Sequence, residues 1–236
     1  MWSVINYILK KLFNIFKGKD KQPELAPLKE LSSEEFEHSK FKARIAFIDD
    51  EEISHVQRLR QDGYNITQYT DIENIDDFVR KKYHVVILDI QGVGQKLSPN
   101  SEGWGLLKYL KNSCPNLVVI MFTGAEWSIT KYKDEADIAD DFIGKDLEFL
   151  DFKSKLDNGI RKAFSPKFHF EIEKEKLSKE ISNANTLNLI KTIIENFGAN
   201  KKVALNELKK VSTNKSIIDS VDHLLSITNE IMRMLQ

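Results

Sequence analysis

"KYHVVILDIQGVG", residues 82–94, decides the fold. From Val85 to Leu88 the chain is branched and apolar without a break, then meets a lone carboxylate, Asp89, and two glycines. A half-buried strand alternates apolar with polar; an unbroken apolar run is a strand covered on both faces, as in a parallel sheet. Similar runs lie on either side: "ARIAFID" (43–49), "YNITQY" (64–69), "LVVIMFT" (117–123) and "DDFIG" (140–144). Helix-like stretches separate them: "EEISHVQRLRQDG", "ENIDDFVRKK", "EGWGLLKYLKNS" and "EWSITKYKDEA", with "LEFLDFKSKLDNGIRKAF" after the last strand. Strand–helix alternation predicts βα units and a doubly wound α/β domain with a five-stranded parallel sheet.

Composition excludes several classes. With 41% hydrophobic and 30% charged residues, the 236-residue chain is ordinary for a globular protein. A net charge of −1 provides no global field for nucleic acid. The single cysteine, Cys114, rules out an intramolecular disulfide framework and fits a reducing, cytoplasmic setting. The five histidines are scattered, without metal-site spacing.

The two ends differ from the middle. In residues 1–22, Ser3, Asn6, Lys10, Asn14 and Lys17 recur at steps of three and four, leaving a broad apolar face that includes Trp2, Ile5, Ile8, Leu9, Leu12, Phe13 and Phe16. Five lysines and one aspartate give that stretch a local charge of +4. It is too short and too interrupted to span a bilayer. It reads as a basic amphipathic helix that lies on a membrane surface or docks on protein, at a peripheral inner-membrane location in the first case. Residues 23–41 read as a linker with one short helix capped by Ser32 or Ser33. Ser165-Pro166 marks a boundary, and residues 165–236 read as about four helices forming a small bundle. There, eleven basic residues face nine acids, too thin an excess for DNA binding. His223 lies on an apolar-striped helix of this bundle, where a surface or half-buried role outweighs a phosphotransfer one.

Ligands of a doubly wound sheet belong at the carboxyl ends of its strands. At those ends stand Asp49 and Asp50, Asp89, Thr123, and Lys145 after Gly144. Clustered carboxylates repel one another unless a cation sits among them, and hard oxygen ligands suit Mg²⁺. A lysine and a hydroxyl beside them make a place for a phosphoryl group. The chemistry implied is phosphoryl transfer to a carboxylate.

Residues 43–164, within a domain expected over 42–164, resemble the response-regulator receiver domain of two-component signalling. "IAFIDDEE" is similar to that family's acid pair, "VVILDI" to its phosphoacceptor strand, "EGWGLLKYLK" to the start of its third helix, "VVIMFTGAE" to the strand ending in its hydroxyl residue, and "ADDFIGKD" to the segment bearing its aromatic switch and its lysine. The resemblance implies a flavodoxin-like fold and makes Asp89 the phosphoacceptor. It implies Mg²⁺ held by Asp49, Asp50, Asp89 and the backbone carbonyl of Gln91. Thr123 and Lys145 would meet the phosphoryl oxygens, and Phe142 would be the switch. It further implies a histidine kinase or phosphotransfer protein as donor, a protein partner for the helical C-terminus, and at most self-phosphorylating and self-dephosphorylating activity. Two features depart from the family: Asp146 stands where proline is usual after the lysine, and the loop from Asp89 to Gly103 is several residues longer. The competing reading is a pseudo-receiver that keeps the shape as an interaction scaffold and takes no phosphoryl group.

Overall fold

A computed structural model describes residues 30–124, 132–181, 184–198 and 200–235. The amphipathic stretch 1–22, Trp127 and the first part of "EWSITKYKDEA" lie outside the described residues.

The strands are β1 (Arg44–Ile48), β2 (Asn65–Tyr69), β3 (Val85–Asp89), β4 (Val118–Thr123) and β5 (Asp141–Gly144), all parallel, in the order β2-β1-β3-β4-β5. Side chains alternate along a strand with period two, and both resulting faces are apolar here. Ile45, Phe47, Val85, Ile87, Val118, Ile120, Phe122 and Ile143 face one layer of helices. These are α1 (Ser33–Ser39), α2 (Ser54–Gln61) and α6 (Phe149–Ala163), which contribute Phe36, Val56, Leu59, Phe152, Leu156 and Ile160. Ala46, Ile48, Val86, Leu88, Val119 and Met121 face the other layer. That layer is α3 (Ile75–Arg80), α4 (Glu102–Ser113) and α5 (Lys133–Ala136), and Phe78, Trp104, Leu107 and Leu110 fill it. Burial on both sides is why β3 reads as one apolar run.

Local signals set the helix ends. Ser32 Oγ accepts a hydrogen bond from the Glu35 N–H at 3.2 Å and Glu35 Oε2 accepts one from the Ser32 N–H at 2.7 Å, closing a capping box before α1. Phe36 of α1, only 1% exposed, inserts into the sheet's own core.

Four further helices follow among the described residues: α7 (Pro166–Glu180), α8 (Ala184–Phe197), α9 (Lys201–Val211) and α10 (Lys215–Leu235). Ser165 caps α7 by accepting from the Phe168 N–H, with Pro166 at the first helical position. The start of α10 is capped by Asn214, whose Oδ1 accepts from the Ser216 N–H at 2.9 Å. Phe170, Leu177, Ile190, Ile194, Leu208, Val221, Leu224 and Leu225 form a separate apolar core. The far end of α10 leaves that core: Ile231 is buried among the residues beneath the sheet, and Ile227 packs beside it. None of the described helices is long and apolar enough to cross a membrane.

At the end of the sheet opposite the acids, His84 accepts from the Arg44 N–H through Nδ1 at 2.9 Å, which requires that nitrogen to be unprotonated. Burial, then the Arg44 charge and His169, push His84 down to about 4. The unfolded group binds a proton below about 6.5. The neutral ring therefore contributes fully above that pH, and stability is lost as pH falls from about 6.5 towards 4. Urea unfolding should show a loss on the order of 2 kcal/mol between about pH 7 and pH 5. His84→Gln, which keeps an acceptor but cannot titrate, should flatten that slope.

Candidate functional site

Continuing the strand alternation past β1, β3 and β5 brings Asp49, Asp89 and Lys145 to one side of the sheet rim. Lys145 Nζ lies 2.7 Å from Asp89 Oδ2 and 3.1 Å from Asp49 Oδ2. The first contact is a hydrogen bond; the second is an ion pair whose geometry falls short of one. Asp49 is fully buried, Asp89 is 3% exposed, and Asp50 stands at the surface beside them. Oxygens of the three carboxylates lie within 4.8 Å of one another.

The other oxygens are held by backbone. Asp49 Oδ1 accepts from the Glu51 N–H at 2.8 Å, and Asp89 Oδ1 accepts from the Ile90 N–H at 2.7 Å. Asp49 Oδ2 is buried without a hydrogen bond. Burial raises the Asp89 pKa, and the Asp49 charge adds to that, while Lys145 acts against it. Burial opposes the charge on Lys145, but the two carboxylates outweigh it and raise its pKa. Lys145 is thus the counter-ion of two acids that would otherwise repel each other in a poorly solvated place.

The remaining expected residues sit around this centre. Thr123 ends β4, half-buried, and its carbonyl accepts from the Lys145 N–H at 2.9 Å. Gln91 is exposed, two positions beyond Asp89. The next residue, Gly92, has φ +78°, and a Cβ there would fall 2.3 Å from Asp50 Oδ2. Only glycine lets the chain pass so near that carboxylate. Phe142 points to the opposite face, half-buried, its ring centroid 6.3 Å from that of Trp104. Asp146 is exposed.

Two residues of this region have no counterpart in the sequence reading. Trp104, 1% exposed, stacks on Tyr132 at 5.7 Å and touches Phe142, so among the described residues Trp104 is the indole beside the expected switch. The helix-like stretch "EGWGLLKYLKNS" carries Trp104 but does not say what its ring packs against. The second is Glu102, whose Oε2 accepts from the Gly92 N–H at 2.9 Å.

The strand order, with its reversal between β1 and β3 and ionisable groups at the carboxyl ends on either side of it, is that of a doubly wound sheet with its ligand crevice at the reversal. This is the flavodoxin-like fold. No protein-family model matches the chain, and no curated protein does. Solved structures do. The receiver domain of DrrB, activated with BeF3, is 21% identical over 50% of this chain and 97% of its own, with a TM-score of 0.39. The receiver domain of NtrX from Brucella abortus is 22% identical over 49% of this chain and 97% of its own, with a TM-score of 0.41. The response regulator TrrA from Thermotoga maritima, in complex with Mg²⁺-BeF, is 22% identical over 50% of this chain and 98% of its own, with a TM-score of 0.41.

For a hard divalent cation the donor set at this rim fits. Three carboxylates converge, one of their oxygens is buried without a hydrogen bond, and the chain passes Asp50 at Gly92 with room for no side chain.

Proposed function

We propose that the protein is a phosphorylation-dependent signalling protein whose receiver domain, residues 42–164, takes a phosphoryl group on Asp89. The observation that carries this reading is the shared ammonium: Lys145 bridges Asp89 and Asp49 within a cluster of three carboxylates. Asp49, Asp50, Asp89 and the Gln91 carbonyl would hold Mg²⁺, which neutralises the charge that gathers on a transferring phosphoryl group. A carboxylate oxygen of Asp89 attacks phosphorus, the bond from phosphorus to the donor breaks, and an acyl phosphate forms. The donor is a phosphohistidine of a histidine kinase or of a phosphotransfer protein. Lys145 lets go of Asp89 to meet a phosphoryl oxygen, and the Thr123 hydroxyl meets another.

The state is read on the neighbouring face. A shift of Thr123 changes the space beside β4, and Phe142 moves within the Trp104 and Tyr132 packing. The helices of residues 165–236 pass the change to a protein partner, and residues 1–22 tether the chain to a membrane surface or to another subunit.

Incubation with a small acyl phosphate and Mg²⁺ should add one phosphoryl group to the wild type by intact mass and none to Asp89→Asn. Beryllofluoride with Mg²⁺ should change the tryptophan emission of the wild type, and Trp104→Phe should remove most of that change. Unchanged labelling of Asp89→Asn, or no labelling of a folded wild type, would retire the phosphoacceptor reading and leave the scaffold reading.

A further inference from the structure

The loop after β3 is longer than the receiver pattern calls for, and its last residue before Gly103 is Glu102. Glu102 has φ +46°, a left-handed backbone that costs a non-glycine residue on the order of 1 kcal/mol. The chain has a reason to reach that point. The loop winds back on itself, with the Ser98 N–H donating to the Gly94 carbonyl at 2.7 Å and the Glu102 N–H to the Ser98 carbonyl at 2.6 Å. Gly103 then packs on the chain just after Asp89, its N–H donating to the Ile90 carbonyl at 3.1 Å. Glu102 is thereby pinned between the loop and the acid cluster.

From there its Oε2 accepts from the Gly92 N–H at 2.9 Å. That N–H shares one planar peptide unit with the carbonyl of Gln91. The unit is trans, as are all the described peptide bonds, so the carbonyl and the N–H point in opposite directions. Fixing the Gly92 N–H on Glu102 therefore fixes the direction of the Gln91 carbonyl. The same peptide runs against the Asp50 carboxylate, where no side chain would fit. Glu102 itself is outside the group of acids whose oxygens lie within 4.8 Å of one another. Its place is one bond further out, on a ligand's own peptide.

We propose that Glu102 is a positioning residue for the cation: its carboxylate holds the Gln91–Gly92 peptide so that the Gln91 carbonyl is presented to the metal. The inference rests on reading the acid cluster as a Mg²⁺ site. Groups that orient a ligand in this way are worth about 10–100-fold in metal affinity. Mg²⁺ demands near-octahedral geometry and Ca²⁺ does not, so a loosened carbonyl penalises Mg²⁺ more.

Calorimetric titration of the full chain with Mg²⁺ and with Ca²⁺ tests this. Glu102→Ala should weaken Mg²⁺ binding about 10–100-fold and lower the preference for Mg²⁺ over Ca²⁺ roughly tenfold. Glu102→Gln, which keeps an acceptor without the charge, should stay within about threefold of wild type. Should Glu102→Ala fail to fold by circular dichroism, Glu102→Gly suits the left-handed backbone and carries the same expectation. Equal loss in Glu102→Gln and Glu102→Ala would assign the effect to charge and overturn the positioning role. Wild-type affinity in Glu102→Ala, with binding abolished in Asp50→Ala, would overturn the role while leaving the metal site standing. Absence of Mg²⁺ binding in the wild type would remove both.

Discussion

Lys145→Ala is expected to cost the metal-free protein about 3 kcal/mol at neutral pH and to make its stability depend on Mg²⁺. The side chains of Asp49 and Asp89 are 0% and 4% exposed, and one ammonium lies 3.1 and 2.7 Å from them, respectively. Removing one partner of a buried pair costs about 3–5 kcal/mol; the lower end applies because the Lys145 side chain is itself 29% exposed. Three changes should restore the loss. Saturating Mg²⁺ returns about 2.7 kcal/mol at a hundred times its Kd. Asp89→Asn in the same background removes one of the two charges. Acid does so as well: the Asp89 pKa is raised in the fold, so protonation begins there before it begins in the unfolded chain. The deficit relative to wild type at the same pH should consequently shrink as pH falls through the folded value. Urea unfolding with chelator, and with Mg²⁺, at about pH 7 and about pH 5 reads all three. A Lys145→Ala protein as stable as wild type in chelator would mean that the ammonium is not the counter-ion.

Gly103→Ala should be at least as damaging, by a different route. A Cβ at that position would lie 2.0 Å from the backbone oxygen of Asp89 and 2.9 Å from the Cα of Ile90. Neither atom belongs to a side chain that can swing away. Either α4 lifts from the sheet or the end of β3 is pushed out of line, and Asp89 goes with it. Overpacking of this kind costs about 3 kcal/mol or more where backbone meets backbone. Mg²⁺ binding should fall in step with stability, since the displaced strand end carries Asp89, one of the proposed ligands. Gly124→Ala is the control: among the described residues, its chain neighbour aside, the nearest atom to a Cβ there is 4.0 Å away, and a change within about 0.5 kcal/mol is expected. Thermal unfolding and Mg²⁺ titration of the two variants separate them; similar behaviour would mean that α4 can slide.

What the sequence disclosed follows from where the information lies. The strands were legible because burial on both faces leaves an apolar run that no loop imitates, as in Val85–Leu88. Asp49, Asp50, Asp89 and Lys145 were legible because carboxyl ends of parallel strands converge, and a charged residue at such an end has few other purposes. Residues whose role is set by a distant partner were not. Nothing in "SPNSEGWG" says that Glu102 will turn back onto Gly92, because that contact depends on a left-handed residue in an irregular loop. Trp104 stands in a helix-like stretch, and nothing there says that it will lie beside Phe142. Ile227 and Ile231 belong to one apolar stripe with Val221 and Leu224, and a stripe cannot say that its two ends enter different cores.

That division of α10 has a consequence for how the protein comes apart. One continuous helix of 21 residues supplies Val221, Leu224 and Leu225 to the core of the C-terminal helices and Ile231 to the core beneath the sheet. Neither core can lose its share of the helix without fraying the other, so the two halves do not melt independently. A chain cut after Phe164 would leave the sheet's own core open where Ile231 had been, and would be stickier and less stable than its receiver outline suggests. The helix acts as a rivet: chemistry at the rim and the fate of the C-terminal helices share one cooperative unit.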